Sequence, residues 1–201
     1  MRGEFVKVGV LALQGAFAAH LGALEQVGAS AVEVRTESQL ADVDRLIVPG
    51  GESTTISMML ERSALVEPLR AFVRSGRPVF GTCAGAILLS SRIVGGRSDQ
   101  LCFGALPLSA SRNAFGRQRE SFEADLVVRG LDDGDFHAVF IRAPRLEVIE
   151  PDPPGVDRPT VEVLAEIDGS PALVRSGAVM CATFHPELGG DTRVHSMFCE
   201  M

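Results

Sequence analysis

Three short runs carry side chains whose types and spacing suit covalent acyl chemistry. Gly81-Thr82-Cys83-Ala84-Gly85 follows an apolar stretch and precedes a helical one, the pattern of a nucleophile set on a sharp strand-to-helix turn. Such a turn crowds its flanks, and glycine has no Cβ to clash. It presents the central side chain at the C-terminal edge of the sheet, where open α/β sheets bind ligands. A thiol at a helix N-terminus is favoured as thiolate, and the Ala84 N–H is left to stabilise an oxyanion. By itself the pentapeptide equally suits a small buried cysteine at a close strand–helix crossing.

Phe184-His185-Pro186-Glu187 follows the last apolar strand-like run. If extended, it puts His185 and Glu187 on one face, giving an imidazole base held by a carboxylate. Read alone, it is a strand-ending turn with a solvated Glu187. Read with Cys83, it completes a Cys-His-Glu triad in that chain order. Pro49-Gly50-Gly51-Glu52-Ser53 also lies between a strand and a helix. Its glycines let a backbone N–H near Gly51 join Ala84 in an oxyanion hole, with Ser53 as the helix N-cap.

These pieces need a scaffold. Strands are expected at 6–13, 31–34, 46–48 and 78–80, alternating with helices at 17–27, 54–61, 65–75 and 84–90. Phe17, Leu21 and Leu24 recur at helical spacing. Gly28 and Gly76 stand as stop signals, and Thr36 to Gln39 fits a capping box. Repeated strand-helix-strand units imply a parallel sheet covered on both faces. Further strands are expected at 122–128, 138–142 and 146–149, followed by a Pro-rich loop at 151–159. A meander at 161–184 turns at Asp168-Gly169, and a last helix spans 192–198. The expected class is α/β: three layers, a mixed but mostly parallel sheet, helices on both faces, and a single domain over 1–201.

Composition excludes several alternatives. The chain has 201 residues, 46% apolar and 22% charged, which is not the make-up of a disordered chain. Nineteen Lys and Arg against 26 Asp and Glu give −7, with no Trp and no Tyr, a poor nucleic-acid surface. No run approaches the ~18 apolar residues of a membrane span. Arg2, Lys7 and Ala16-Phe17-Ala18 imitate a secretion signal, but Gln14-Gly15 breaks its apolar run. Cys83, Cys102, Cys181 and Cys199 have no C-x-x-C pairing and read as reduced in a cytoplasmic protein. Cys102, Cys181 and Cys199 are expected in the core, and Met58-Met59 in helix packing. His20, His137 and His195 look isolated, without metal-ligand spacing, so no metal is expected.

The three runs in this order resemble class I, triad-type glutamine amidotransferases, which have a flavodoxin-like fold. Leu11 to Ala16, Pro49 to Thr54, Arg112-Asn113-Ala114-Phe115-Gly116-Arg117-Gln118, Ser121-Phe122-Glu123, Phe140-Ile141-Arg142-Ala143-Pro144 and Phe184 to Leu188 narrow the match. They resemble the glutaminase subunits of pyridoxal 5'-phosphate synthase, from about residue 6 to 200. The resemblance implies hydrolysis of L-glutamine to glutamate and ammonia. The ammonia would pass through a tunnel to a separate (β/α)8 synthase subunit in a large hetero-oligomer, and the glutaminase would need no cofactor. It implies Cys83 as nucleophile, with His185 and Glu187. Gly51, Glu52, Ser53, Arg112, Ile141 and Arg142 would bind glutamine, an arginine suiting its α-carboxylate. Gln14 would couple partner docking to activity, through an oxyanion peptide that flips. Where many relatives carry Glu-His, this chain has Ala19-His20, which bears on partner contact rather than chemistry.

Three other readings compete. A glutaminase serving another pathway, such as histidine biosynthesis, keeps the triad but has no reason for Phe115 to Gln118. A cysteine-elbow hydrolase or protective protein does not need Pro49 to Ser53 or His185 to Glu187. A non-catalytic docking module does not need an intact triad.

Overall fold

The computed structural model describes residues 6–97, 99–112, 121–149 and 160–201. The Asn113 to Gln118 run and the expected loop at 151–159 lie outside the described residues. The chain proceeds through β1 (Lys7–Leu11), α1 (Phe17–Gln26), β2 (Ser30–Val34), α2 (Glu37–Ala41), β3 (Arg45–Val48), α3 (Ser53–Arg62), α4 (Val66–Arg74), β4 (Val79–Thr82) and α5 (Ala84–Leu89). It continues through β5 (Ser90–Val94), β6 (Leu106–Ser111), β7 (Ser121–Leu126), β8 (Phe136–Ile141), β9 (Arg145–Val148), β10 (Glu162–Ile167), β11 (Ser170–Ser176), β12 (Val179–Ala182) and α6 (Arg193–Cys199).

A seven-stranded sheet has the order β10-β11-β12-β4-β3-β1-β2. The run from β12 to β2 is parallel, and the β10-β11-β12 meander is antiparallel. The meander's first turn places Asp168 and Gly169 at φ 49° and 70°, as a two-residue hairpin turn with both central φ values positive requires. Both faces of the sheet are covered, which is why its central strands are unbroken apolar runs. In β3, Leu46 and Val48 face a core with Ile56, Leu60 and Phe72. Ile47 faces the opposite core with Phe80, Phe184 and Phe198. Leu46, Ile47 and Val48 are fully buried, each contributing roughly 1.5–3 kcal/mol.

Local signals set the helix ends. Thr36 and Gln39 form the expected capping box of α2. Gly28 and Gly76 follow α1 and α4 at φ 79° and 75°, the left-handed stop that glycine adopts at least cost. Three expectations need correction. The α3 N-cap is Glu52, not Ser53; its carboxylate accepts from the Thr54 and Thr55 N–H groups, leaving Ser53 as the first helical residue. In α1 the expected stripe faces the core, with Leu24 buried and Phe17 and Leu21 partly buried against it, but the stripe is wider than expected and takes in His20 and Ala23 as well. The helix expected to reach Ser90 ends at Leu89, and Ser90 opens β5, which pairs with β6 and through it with β9. No glycine or proline marks that change, and pairing with residues far along the chain overrides local preference.

The elbow glycines are required by packing. A Cβ on Gly85 would lie 2.0 Å from the Val48 carbonyl oxygen, and one on Gly81 would lie 2.7 Å from the Gly85 carbonyl carbon. Backbone cannot yield as a flexible side chain does, so overpacking here exceeds the usual ~1–3 kcal/mol. Gly85→Ala is therefore expected to lower unfolding stability by about 3 kcal/mol or more. Urea denaturation would check this, and a loss under about 1 kcal/mol would contradict it.

Candidate active site

Four neighbouring parallel strands each deliver one piece at their C-terminal ends. β12 leads to His185, β4 to Cys83, β3 to Gly50-Gly51 and β1 to Gln14. The β12–β4 register pairs Ala182 with Thr82, and the Cys83 N–H donates to the Ala182 carbonyl at 2.8 Å. That contact brings His185 beside Cys83 although they are far apart in sequence. β6 and β8 add Arg112 and Ile141-Arg142 from the smaller sheets.

Gln14, Gly51, Glu52, Ser53, Cys83, Ala84, Arg112, Ile141, Arg142 and His185 all line one cavity of about 190 Å³, together with Ile87. Glu187 sits behind His185, whose Nδ1 lies 2.8 Å from Glu187 Oε1. Cys83 adopts φ 47°, ψ −102° at the start of α5, a strained conformation for a residue with a Cβ. Its thiol donates weakly to the Ile141 carbonyl at 3.7 Å. Burial opposes charge on His185, but hydrogen bonds to the Cys83 thiol and to Glu187 outweigh it and raise its pKa above the ordinary value. Burial likewise disfavours a charged Glu187, yet the His185 hydrogen bond and nearby imidazoles lower its pKa. His185 is thus a base whose protonated form is stabilised by a carboxylate, within reach of the Cys83 side chain.

The Gly50-Gly51 turn is fixed from both sides. The Gly50 N–H donates to Thr82 Oγ1 at 2.9 Å, and the Gly50 carbonyl accepts from the Ala16 N–H at 3.2 Å. In a trans peptide the next N–H points opposite that carbonyl, so the Gly51 N–H is turned away from Ala16. Gln14 Oε1 accepts from the Glu52 N–H at 3.0 Å and would lie 2.4 Å from a Cβ on Gly51. Only glycine allows that approach. The Ala84 N–H, in the first turn of α5, has no intrahelical acceptor.

At the other end of the cavity, Arg112 Nη2 donates to Glu52 Oε1 at 2.9 Å, while its Nη1 reaches Thr54 Oγ1 and Gln100 Oε1 at 3.2 Å. Gln100 Nε2 donates to Ser53 Oγ at 2.7 Å. Burial opposes charge on Glu52, but hydrogen bonds from Thr55 and Thr54 prevail and lower its pKa to about 2. The Glu52 carboxylate is thus committed to capping α3 and orienting Arg112.

Sequence reasoning missed a buried cluster behind the triad. His20 and His195, expected to be isolated, are fully buried and share a hydrogen bond, Nδ1 to Nε2, at 3.0 Å. His20 Nε2 lies 3.2 Å from Thr82 Oγ1 and 3.3 Å from Glu187 Oε2. A signal existed: His20 is four residues before Leu24, and His195 three before Phe198, so each shares a helix face with a core residue. His137 is not isolated either; on the exposed side of the β7–β8 ribbon it contacts Asp125 and Glu123. Cys181 is buried as expected, and Cys102 and Cys199 are half-buried. Met58 is exposed instead of packed. Among the described residues no helix is long and apolar enough to cross a membrane.

Burial lowers the pKa of His20 to about 4 and of His195 to about 3, from 6.5. The unfolded chain therefore binds their protons first, and stability is lost as pH falls below 6.5. His185, with its raised pKa, works the other way: the unfolded chain takes up its proton across this window, which offsets about 0.4 kcal/mol of the loss. Each buried histidine contributes up to about 1.4 kcal/mol per pH unit. Urea denaturation is expected to lose about 2–3 kcal/mol of stability between pH 6.5 and 5, and His195→Phe to remove about half of that. An unchanged slope in the variant would contradict it.

Residues 10–201 match the family model described as SNO glutamine amidotransferase. The chain belongs to that family. Among relatives of this glutamine amidotransferase, pyridoxal 5'-phosphate synthase subunit PdxT of Frankia alni is 50% identical over 195 residues, covering 97% of this chain and 94% of that protein. The PdxT of Mycobacteroides abscessus is 49% identical over 194 residues, covering 96% of both. A crystal structure of a glutamine amidotransferase superposes with a TM-score of 0.84 at 48% identity, covering 96% of this chain and 97% of that one. PurLQS from Thermotoga maritima shares the fold, with a TM-score of 0.62 at 18% identity, covering 98% of each chain.

Proposed function

We propose that this chain, acting as one cytoplasmic glutaminase domain without a cofactor, hydrolyses L-glutamine and supplies ammonia to the (β/α)8 synthase subunit of a hetero-oligomeric pyridoxal 5'-phosphate synthase. The observation that carries the reading is the convergence of Cys83, a His185 held by Glu187, Ala84 and Gly51 on one cavity. The names of the relatives point to the pathway.

The geometry implies the following steps. The Cys83 proton passes to His185, and the thiolate attacks the side-chain amide carbon of glutamine. The carbonyl oxygen becomes an oxyanion, received by the Gly51 and Ala84 N–H groups. His185 returns the proton to the amide nitrogen, the C–N bond breaks and ammonia leaves, giving a γ-glutamyl thioester. His185 then takes a proton from water, whose oxygen attacks the thioester. The C–S bond breaks, the thiolate is reprotonated and glutamate departs. Arg112, aimed by Glu52, and the exposed Arg142 receive the substrate's α-carboxylate. Gln14 couples docking to chemistry because it grips the Gly51-Glu52 peptide directly.

Glutamate release from L-glutamine, with and without a pyridoxal 5'-phosphate synthase subunit, tests this. Release that rises when the synthase binds is expected. No release with the synthase demonstrably bound would overturn the reading in favour of a docking module.

A further inference from the structure

Glu187 Oε2 is buried and has no hydrogen bond of regular geometry among the described residues. A buried carboxylate oxygen without a donor is costly, so the group nearest it matters. That group is His20 Nε2, at 3.3 Å, with both side chains fully buried.

The tautomer of His20 follows from counting donors. Thr82 Oγ1 already accepts from the Gly50 N–H. Suppose His20 carried its proton on Nδ1. It would donate to His195 Nε2, and the His195 proton would sit on Nδ1, which has no partner. The lone pair of His20 Nε2 would then face the Glu187 carboxylate. With the proton on His20 Nε2, both faults disappear. His195 Nε2–H donates to His20 Nδ1, and His20 Nε2–H faces Glu187 Oε2 and Thr82 Oγ1. What is left bare is a neutral lone pair on His195 Nδ1 and the hydroxyl hydrogen of Thr82, together a smaller loss than an unmatched anion.

We infer that His20 is a positioning residue of the glutaminase reaction: its Nε2–H holds Glu187 Oε2, and through Thr82 Oγ1 it ties the carboxylate to the Gly50-Gly51 turn. This rests on the glutaminase reading and extends it. Glu187 is gripped on both oxygens, by His185 on the substrate side and by His20 from the core. His195 fixes the tautomer, as outer partners do for other functional imidazoles. One imidazole thereby keeps the general base and the oxyanion turn in register, and it belongs to α1, which follows the Gln14 loop.

Two isosteric substitutions separate this from a mere packing role. Gln places an amide nitrogen near the position of imidazole Nε2, keeping the donor toward Glu187 and Thr82. Asn reaches only as far as Nδ1, where its amide oxygen can accept from His195 Nε2–H, keeping the His195 contact alone. Glutamine hydrolysis should be measured for wild type, His20→Gln and His20→Asn in the complex with the synthase, with a urea melt of each. His20→Asn is expected to lose about 10- to 100-fold in kcat, with KM within about twofold because no atom of His20 lines the substrate cavity. His20→Gln is expected to recover most of that loss, whichever variant is the more stable. Should either variant fail to fold, Thr82→Val, which cuts the link to Gly50, is expected to lower kcat in the same range with KM unchanged. Wild type that releases no glutamate would defeat the glutaminase reading itself. Active wild type with Asn equal to or better than Gln, or with loss falling on KM, would overturn the role given to His20; in the fallback, so would Thr82→Val with normal kcat.

Discussion

Cys83→Ala is expected to reduce glutamine hydrolysis by on the order of 10⁵- to 10⁶-fold, the size of loss when a covalent nucleophile is removed, with the fold intact. The alanine keeps the Cβ and therefore the strain of φ 47°. Cys83→Gly separates the two. A residue with a Cβ held in such a conformation costs about 1–3 kcal/mol. Glycine relieves that cost but adds about 0.4–1 kcal/mol of unfolded-chain entropy. Relief is the larger effect, so the glycine variant should be inactive yet more stable than the alanine variant by about 1 kcal/mol, or roughly 2–4 °C in Tm. Calorimetry of the two variants checks this. A glycine variant that melts below the alanine variant would mean that the elbow is not strained, and near-normal turnover in Cys83→Ala would remove the covalent mechanism.

Glu187→Gln is expected to cost about 10³- to 10⁴-fold in kcat, as when the orienting carboxylate of a triad becomes an amide. Glu187 supports the imidazolium and holds Nδ1 at 2.8 Å. An amide gives no charge to balance the cation, so the raised proton affinity of His185 falls back, and Cys83 faces a weaker base for its proton. Two measurements should move together: kcat for glutamine, and the rate of Cys83 alkylation by iodoacetamide near neutral pH. KM should change little, because Glu187 lies behind His185 and outside the cavity lining. A loss under about tenfold in kcat, or unchanged alkylation, would leave Glu187 a structural role only.

Much of this arrangement is legible locally. An elbow with glycine on both sides, a capping box at Thr36, and stops at Gly28 and Gly76 express steric rules that act within a few residues. Even so, Ser53 was expected to cap α3, and Glu52 caps it. Both residue types reach the first free N–H groups, and the choice depends on where the chain enters the helix. The α1 stripe shows a different limit. Phe17 and Leu21 are more apolar than His20, so hydropathy turns the helix toward them. They do pack on the core, yet His20 is buried more deeply than either, because His195, Thr82 and Glu187 satisfy its nitrogens there.

By itself, the sequence determined the α/β class and the candidate chemistry: a thiol, an imidazole and a carboxylate whose immediate neighbours allow only a turn or an extended segment. Tertiary structure alone decided which groups meet. Strand order puts β12 beside β4 and β3 beside β4 on the other side, so Cys83 falls between His185 and Gly50-Gly51. No local pattern encodes that order, since pairing depends on how whole strands bury both faces. The same is true of the cluster behind Glu187, where His20 and His195, from opposite ends of the chain, share a hydrogen bond in a fully buried site.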